Sequence, residues 1–384
     1  MNLRAYILVP VFLAVMGVSC AQSAFAQEKK KPAKQADIDL VICLDTSNSM
    51  DGLINSAKVR LWDIVNELAK AKPTPNLRIA LYAYGTPTYG ARSGWVKQIL
   101  SFTGDLDSVY EKLFALRTNG GTEYVARVSQ AALDDLHWSK SKNALRLIFV
   151  CGNEPANQDP KISLATVSQN AIKKGVIINT IHCKWASVSQ QEIKTWEDLA
   201  NSAEGEYTSI DQSRGTVAIT TPHDKKLAEL GKKLNGTYLW YGSLGRQRRM
   251  NQLAQDANAA KLGAGVVATR ANSKASVFYE QADACLVDKA IANPKFDITK
   301  IKEKDLPENL RKMKPDQRVK YINEMKAKRL AVQKEITEVN QLRNAYIRKQ
   351  REAQAGKKGP ALDEAIRGVI RKQAKARSIT IPGK

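Results

Sequence analysis

The chain contains few of the side chains that enzymes most often use as acids, bases or nucleophiles. Its 384 residues include three histidines and five cysteines, and no HExxH, GxSxG or Walker-type sequence occurs. The cysteines lack the CxxC spacing of zinc and thioredoxin-like sites. His182 and Cys183 are neighbours, but successive residues of a strand point to opposite faces, so they do not make a nucleophile and its base. We therefore expect a protein that is not an enzyme.

Long apolar runs are also absent, except at the amino terminus. There an apolar run from Ala5 to Ser19 follows a basic residue, and Ala24-Phe25-Ala26 has the small-x-small pattern of a signal-peptidase site. We predict a signal peptide at residues 1–26 and a solvated linker at residues 27–36. A lipid anchor at Cys20 is the alternative. The leader predicts export, so we expect a periplasmic or extracellular protein of the cell envelope.

Charge is distributed unevenly along the chain. Residues 37–221 hold 19 basic and 20 acidic side chains, whereas residues 222–384 hold 36 basic and 17 acidic ones. A surplus of this size draws anionic partners, and export makes an anionic envelope polymer or lipid surface the expected one. Nucleic acid is not expected, because no nucleic-acid-binding motif occurs and the aromatic residues do not alternate with the basic ones.

Apolar runs alternate with segments of helical spacing in the neutral part of the chain. This order is typical of a parallel sheet with helices on both faces, so we predict an α/β, doubly wound, mostly parallel sheet of the Rossmann-like type over residues 37–215. The predicted strands are 38–45, 77–84, 95–100, 145–151, 176–183 and 206–210. The predicted helices between them are 53–69, 106–116, 123–136, 162–174 and 190–202.

Strand patterns nearly vanish in the basic part, and we predict an all-α region over residues 222–384. Apolar residues at spacings of three, four or seven indicate a long amphipathic helix at about 316–352, interrupted by Arg329 and Arg343. The heptad pattern is too imperfect to predict a coiled-coil dimer. The other predicted helices are 221–235, 246–261, 274–292 and a short one ending near 376.

Oxygen-bearing side chains follow the first predicted strand. Asp45, Ser47 and Ser49 come directly after the apolar run Leu40–Leu44. Alternate residues of an extended segment share a direction, so their three oxygens can converge. Ligand sites of open α/β sheets lie at the carboxyl ends of strands, and hard oxygens suit Mg²⁺, Mn²⁺ or Ca²⁺ better than zinc. The alternative is that these residues only form a turn and a helix N-cap.

A second short motif, Gly120-Gly121-Thr122-Glu123, follows later in the chain. The order of strand, DxSxS, α/β sheet and Gly-Gly-Thr resembles the von Willebrand factor type A domain and its metal-ion-dependent adhesion site, over roughly residues 37–215. This resemblance implies a bound divalent cation whose coordination is completed by a Glu or Asp of a partner protein. The cation ligands that it implies are Asp45, Ser47, Ser49 and Thr122.

The third motif departs from the family pattern. Family members usually carry Thr-Asp-Gly where the fourth strand ends, whereas this chain has Cys151-Gly152-Asn153-Glu154. Gly152 therefore stands at the position of the aspartate, and one carboxylate is missing. Either Asn153 or Glu154 supplies an oxygen from a shifted place, or the site holds its cation more weakly.

These patterns together predict an exported protein-binding module. Its metal-ion-dependent adhesion site, holding Mg²⁺ or else Mn²⁺ or Ca²⁺, would contact a partner carboxylate, and its basic helices would serve envelope attachment or assembly. One alternative is a metal-free structural scaffold that oligomerises through its helices. The other is a hydrolase of envelope material, for which the sequence offers no nucleophile cluster.

Overall fold

The computed structural model describes residues 36–184, 188–211, 218–353 and 362–382. The predicted signal peptide and all but the last residue of the predicted linker lie outside the described residues. From Gln35 to Lys384 the chain forms a single compact unit. The boundary that we predict between residues 215 and 222 therefore stays a prediction, because the segments on either side of it pack together.

Six strands of the described ranges form one sheet with the order β3-β2-β1-β4-β5-β6. All neighbouring strands are parallel except β2 and β3, which are antiparallel. This mixed, mostly parallel sheet confirms the predicted fold class, and each predicted strand is present. The strands are β1 Asp37–Asp45, β2 Asn76–Tyr84, β3 Val96–Thr103, β4 Leu145–Gly152, β5 Ile177–Cys183 and β6 Tyr207–Ile210.

Helices cover both faces of the sheet, and strand β1 shows why. Its side chains alternate between two separate hydrophobic cores, with Leu40 and Ile42 in one and Val41 and Cys43 in the other, so both faces must be shielded from water. The first core is covered by α1 Asp51–Leu68 and α2 Leu106–Ala115. The second is covered by α3 Val125–Asp135, α4 Leu164–Lys174 and α5 Gln190–Ser202.

The region after β6 is helical, as predicted, but one predicted helix is wrong. The predicted helix at 274–292 is divided, because residues 276–285 are not helical. In that stretch the Tyr279 hydroxyl donates to Asp107 on α2, and Cys285 forms a β-bridge with Trp240, so tertiary contacts override the local helical pattern. The helices are α6 Asp224–Asn235, α7 Gly242–Lys261, α8 Ala264–Ala275, α9 Leu286–Ala292, α10 Glu308–Arg311, α11 Pro315–Ala353 and α12 Leu362–Lys375.

Helix α11 contacts its neighbours through one continuous stripe. The two arginines that interrupt the apolar pattern lie in this stripe, with Arg329 1% and Arg343 3% exposed. Arg329 donates to Asp288, and Arg343 donates to Asp224 at 2.8 Å, so both charges are buried as ion pairs. The stripe packs on α6, α8 and α9 of the same chain.

Helix α12 returns to the sheet and lies beside α1 on the first core. Its buried residues Leu362 and Ile366 line one small apolar cavity together with Leu44 and Leu61, and all four belong to the first core. At its far end Gln373 exchanges two hydrogen bonds with Asn179 of β5, at 2.7 and 3.1 Å. The last helix of the chain therefore completes a sheet face that α1 and α2 cover only in part.

Two further features concern the chain as a whole. No helix in the described ranges is both long and apolar enough to cross a membrane.

Cys43, Cys151, Cys183 and Cys285 are buried free thiols, so they behave as small apolar residues of the core.

Candidate metal site at the carboxyl edge of the sheet

Strand β1 ends at Asp45, which is fully buried. Asp45 Oδ1 accepts a hydrogen bond from the Ser47 backbone N–H at 2.8 Å, and this bond turns the chain away from the sheet. Thr46 anchors the same turn, because its N–H and its hydroxyl both donate to the Tyr84 carbonyl, at 2.8 and 2.7 Å. The DxSxS segment is thus held rigidly between β2 and the start of α1.

The hydroxyls of this segment meet an amide from the end of β4. Ser47 Oγ and Ser49 Oγ lie 3.1 Å apart. Asn153 Nδ2 donates to Ser49 Oγ at 3.1 Å, and Asn153 is 1% exposed. Four of the six predicted ligands, Asp45, Ser47, Ser49 and Asn153, are therefore brought together at one edge of the sheet.

The other two predicted ligands are placed differently. Thr122 is partly exposed on the loop before α3, a loop tied to the site by a hydrogen bond from Asn119 N–H to the Thr46 carbonyl at 2.9 Å. Glu154 is exposed, and its backbone carbonyl accepts a hydrogen bond from Trp196 Nε1 at 2.9 Å. As metal ligands, both remain predictions.

Glu123 is the residue that the sequence reasoning missed. It follows Thr122 directly, and it is only 8% exposed. Gly85, with φ of +85°, allows the approach: a Cβ there would lie 2.6 Å from Asp45 Oδ1 and 3.1 Å from Glu123 Cγ. The only signal for Glu123 in the sequence is that it adjoins the second motif. Its approach to Asp45 depends on Gly85, which is distant in sequence from both residues.

Asp45 and Glu123 form a buried pair of carboxyl groups. Burial raises the pKa of Asp45 well above its usual value, and the Glu123 carboxylate raises it further. Burial also raises the pKa of Glu123. Within the described part of the chain, Asp45 Oδ2 and Glu123 Oε2 are buried without a hydrogen-bond partner.

Gly152 lies where the missing carboxylate would be expected, and the space beside it is filled. A Cβ on Gly152 would clash with the Tyr84 hydroxyl, and it would lie 3.1 Å from the Trp196 ring and 3.3 Å from Asp45 Oδ2. The Tyr84 hydroxyl donates to the Cys151 carbonyl at 3.0 Å, which fixes its position. Asn153, the residue directly after β4, reaches the site instead through its hydrogen bond to Ser49.

His182 at the end of β5 forms the neighbouring part of this edge. Its ring stacks on Trp196 with a centroid distance of 5.3 Å, and Nε2 lies 3.1 Å from Glu192 Oε1. Burial lowers the pKa of His182 to about 4, and burial together with Glu154 raises the pKa of Glu192. His182 is therefore neutral at pH 7, and its contact with Glu192 is a hydrogen bond and not an ion pair.

The donor set fits a hard divalent cation. Carboxylate, hydroxyl and amide oxygens are the ligands that Mg²⁺, Mn²⁺ and Ca²⁺ prefer, and two buried carboxylate oxygens lack a donor. Among the described residues, no group of three or more His, Cys, Asp or Glu side chains could hold a metal. Any cation here must therefore depend on Ser47, Ser49 and Asn153 as well as on the carboxylates.

The fold and this site define an open α/β sheet domain with a cluster of oxygen-bearing side chains at the carboxyl ends of its strands. The family comparison makes the assignment specific: the family model for the von Willebrand factor type A domain matches residues 39–221. Residues 39–221 are therefore a von Willebrand factor type A domain, and the resemblance seen in the sequence is confirmed for this segment.

Solved structures with a related shape cover about half of the chain. Proximal thread matrix protein 1 from the mussel byssus is 13% identical, with a TM-score of 0.37, over 47% of this chain and 44% of its own. A form of the mussel protein with a zinc-occupied MIDAS motif is 14% identical, with a TM-score of 0.36, over 46% and 42%. The von Willebrand factor type A protein from Catenulispora acidiphila is 17% identical, with a TM-score of 0.35, over 47% and 41%.

These matches leave much of each protein uncovered. The chain spans less than half the length of the mussel and Catenulispora proteins. No curated protein matches the chain.

Proposed function

We propose that the von Willebrand factor type A domain is a protein-binding module in which a divalent cation joins the chain to an acidic side chain of a partner. The observation that carries this proposal is the pair of buried oxygens, Asp45 Oδ2 and Glu123 Oε2, without a donor. Two such oxygens are costly to bury unless a proton or a cation lies between them. The hydroxyls of Ser47 and Ser49 favour the cation, because they add neutral oxygens at the same place.

Each residue has a defined part in this proposal. Asp45 would hold the cation together with the hydroxyls of the two serines, and Asn153 fixes Ser49 by its hydrogen bond of 3.1 Å. The cation, when bound, supplies the positive charge that a partner carboxylate neutralises. We place this contact outside the cytoplasm because of the leader pattern in residues 1–26, with Mg²⁺, Mn²⁺ or Ca²⁺ as the ion.

Metal titration by calorimetry tests the proposal. We expect one Mn²⁺ or Mg²⁺ ion to bind per wild-type chain, and Asp45→Asn to abolish binding, because a buried carboxylate is replaced by a neutral amide of the same shape. Asp134→Asn is the matched control, since the Asp134 side chain is 52% exposed on α3. A wild-type chain that binds none of Mg²⁺, Mn²⁺, Ca²⁺ or Zn²⁺ would refute the proposal.

The proposal also requires that binding of the partner depends on the bound cation. Crosslinking of the mature chain to envelope proteins should give products that a chelator removes and that Asp45→Asn fails to form. A metal-free scaffold gives the opposite result: association of the chain with itself, dependent on its concentration and unaffected by chelator, in analytical ultracentrifugation.

A further inference from the structure

The end of β4 has no room for the carboxylate that the family pattern places there. Any side chain at Gly152 meets the Tyr84 hydroxyl and the Trp196 ring. Neither group can move aside easily, because Tyr84 and Trp196 are fully buried and each donates a hydrogen bond to a backbone carbonyl, at 3.0 and 2.9 Å. The packing of Tyr84 and Trp196 therefore excludes an acidic side chain from position 152.

A second carboxylate nevertheless reaches Asp45 from another direction. Glu123 comes from the loop before α3, on the opposite side of β1 from β4 and close to Gly85 at the end of β2. It is 8% exposed and Asp45 is fully buried, so both carboxyl groups are removed from bulk water. Each keeps one buried oxygen that no donor of the described residues reaches.

We propose that Glu123 is a metal ligand, and that it replaces the carboxylate excluded from position 152. This inference rests on the proposed function, because it requires a cation at Asp45. Two carboxylates would then balance the charge of one divalent cation, while Ser47 and Ser49 would contribute neutral oxygens and Asn153 would hold Ser49 in place. The second carboxylate of the site is thus supplied from the β2 side, whereas the family pattern places it at the end of β4.

Glu154 offers a matched comparison. It is also an acid at this edge, directly after Asn153 in the chain. It differs in being exposed, where water screens its charge and solvates its oxygens. Glu154 is also the other glutamate that the sequence offers as a source of the missing oxygen, so comparing the two substitutions tests which glutamate coordinates the cation.

Calorimetric titration with Mn²⁺ alone separates these cases. We expect Glu123→Gln to weaken Mn²⁺ binding by about tenfold or more, as expected for loss of a charged ligand, and Glu154→Gln to weaken it by less than about threefold. Glu123→Asp, which keeps the charge on a shorter side chain, should bind more tightly than Glu123→Gln. Electron paramagnetic resonance of the bound Mn²⁺ gives a second readout, because its spectrum should change in Glu123→Gln and stay unchanged in Glu154→Gln.

Each outcome has a definite meaning. Equal Mn²⁺ affinity of the wild type and Glu123→Gln, with loss in Asp45→Asn, would overturn this inference and leave the proposed function intact. Equal weakening by Glu123→Gln and Glu154→Gln would also overturn it. Loss of the folded circular dichroism spectrum in Glu123→Gln would show that the carboxylate serves the fold, against the inference. A wild-type chain without Mn²⁺ affinity would remove the proposed function itself.

Discussion

At the scale of single residues, the carboxyl edge of the sheet concentrates buried ionisable groups. Asp45 and His182 are fully enclosed and Glu123 nearly so, although burying a charge is costly unless it is paired. His182 avoids the cost by staying neutral, because burial lowers its pKa to about 4, and its Nε2 lies 3.1 Å from Glu192 Oε1, within hydrogen-bond distance. For Asp45 and Glu123, burial raises the pKa of both carboxyl groups, so either a shared proton or a cation removes the cost.

The state of His182 predicts a pH dependence of stability. Its folded pKa of about 4 lies below the ordinary value of 6.5, so between these values the unfolded chain binds the proton more strongly. The free energy of unfolding should therefore fall as the pH drops from about 6.5 toward 4, and this contribution should be constant above 6.5. Urea unfolding at pH 7.5 and pH 5.0 measures it, with His182→Gln as the comparison, and an equal loss of stability in both proteins would contradict the prediction.

The sequence predicted part of this site for a clear reason. Asp45, Ser47 and Ser49 are close in sequence and follow a strand, so local geometry brings them together. Glu123 depends on the approach of its loop to Gly85, and the exclusion of an acid at Gly152 depends on Tyr84 and Trp196 from two other elements. Such long-range contacts leave no local pattern.

At the scale of elements, the strands and helices of the sheet domain were predictable because their apolar residues follow the period of each element closely. The error at 274–292 has the opposite cause, since Tyr279 and Cys285 form contacts with α2 and Trp240 that no local pattern reveals. The arginines of α11 show a related limit. Arg329 and Arg343 interrupt the apolar pattern of α11, and their acidic partners are distant in sequence, so the local pattern does not predict that they are buried.

Helix α12 gives a prediction at this scale. Ile366 is fully buried against α1 and β1, so Ile366→Ala should lower the free energy of unfolding by about 2–5 kcal/mol through lost contacts and a cavity. Ile172→Ala on α4 is the matched control, because Ile172 is 48% exposed, and it should change stability by less than about 0.5 kcal/mol. Equal effects in urea unfolding would show that α12 adds little to the first core.

At the scale of the whole molecule, some of the excess basic residues of the helical region form ion pairs within the fold. Basic residues after residue 221 pair with acids of the sheet domain: Arg270 with Asp107 at 2.7 Å, Arg371 with Glu67, and Lys372 with Glu206 at 2.5 Å. The Arg270 pair is buried, and the guanidinium also lies 5.1 Å from the Trp62 ring centroid. The helical region is therefore fitted to the sheet domain electrostatically as well as by packing.

This arrangement predicts that the sheet domain depends on the end of the chain. A chain truncated after Ala353 lacks α12 and so exposes the apolar surface around Leu44 and Leu61. It should unfold at lower urea concentration than the full chain, bind a hydrophobic dye, and recover when a peptide of residues 362–382 is added. Stability equal to that of the full chain would contradict this prediction.

The course of the backbone also fixes how the domain can be presented. Ala36, just before β1, accepts a hydrogen bond from Asn76 N–H at 2.7 Å, and Thr380 pairs with Lys72 just before β2. Ala36 and Thr380 therefore both lie at the amino edge of the sheet. Asp45 lies at the other end of a strand of nine residues, about 30 Å away at roughly 3.3 Å per residue. A point of attachment near Ala36 or Thr380 would therefore lie at the end of the sheet opposite the candidate site.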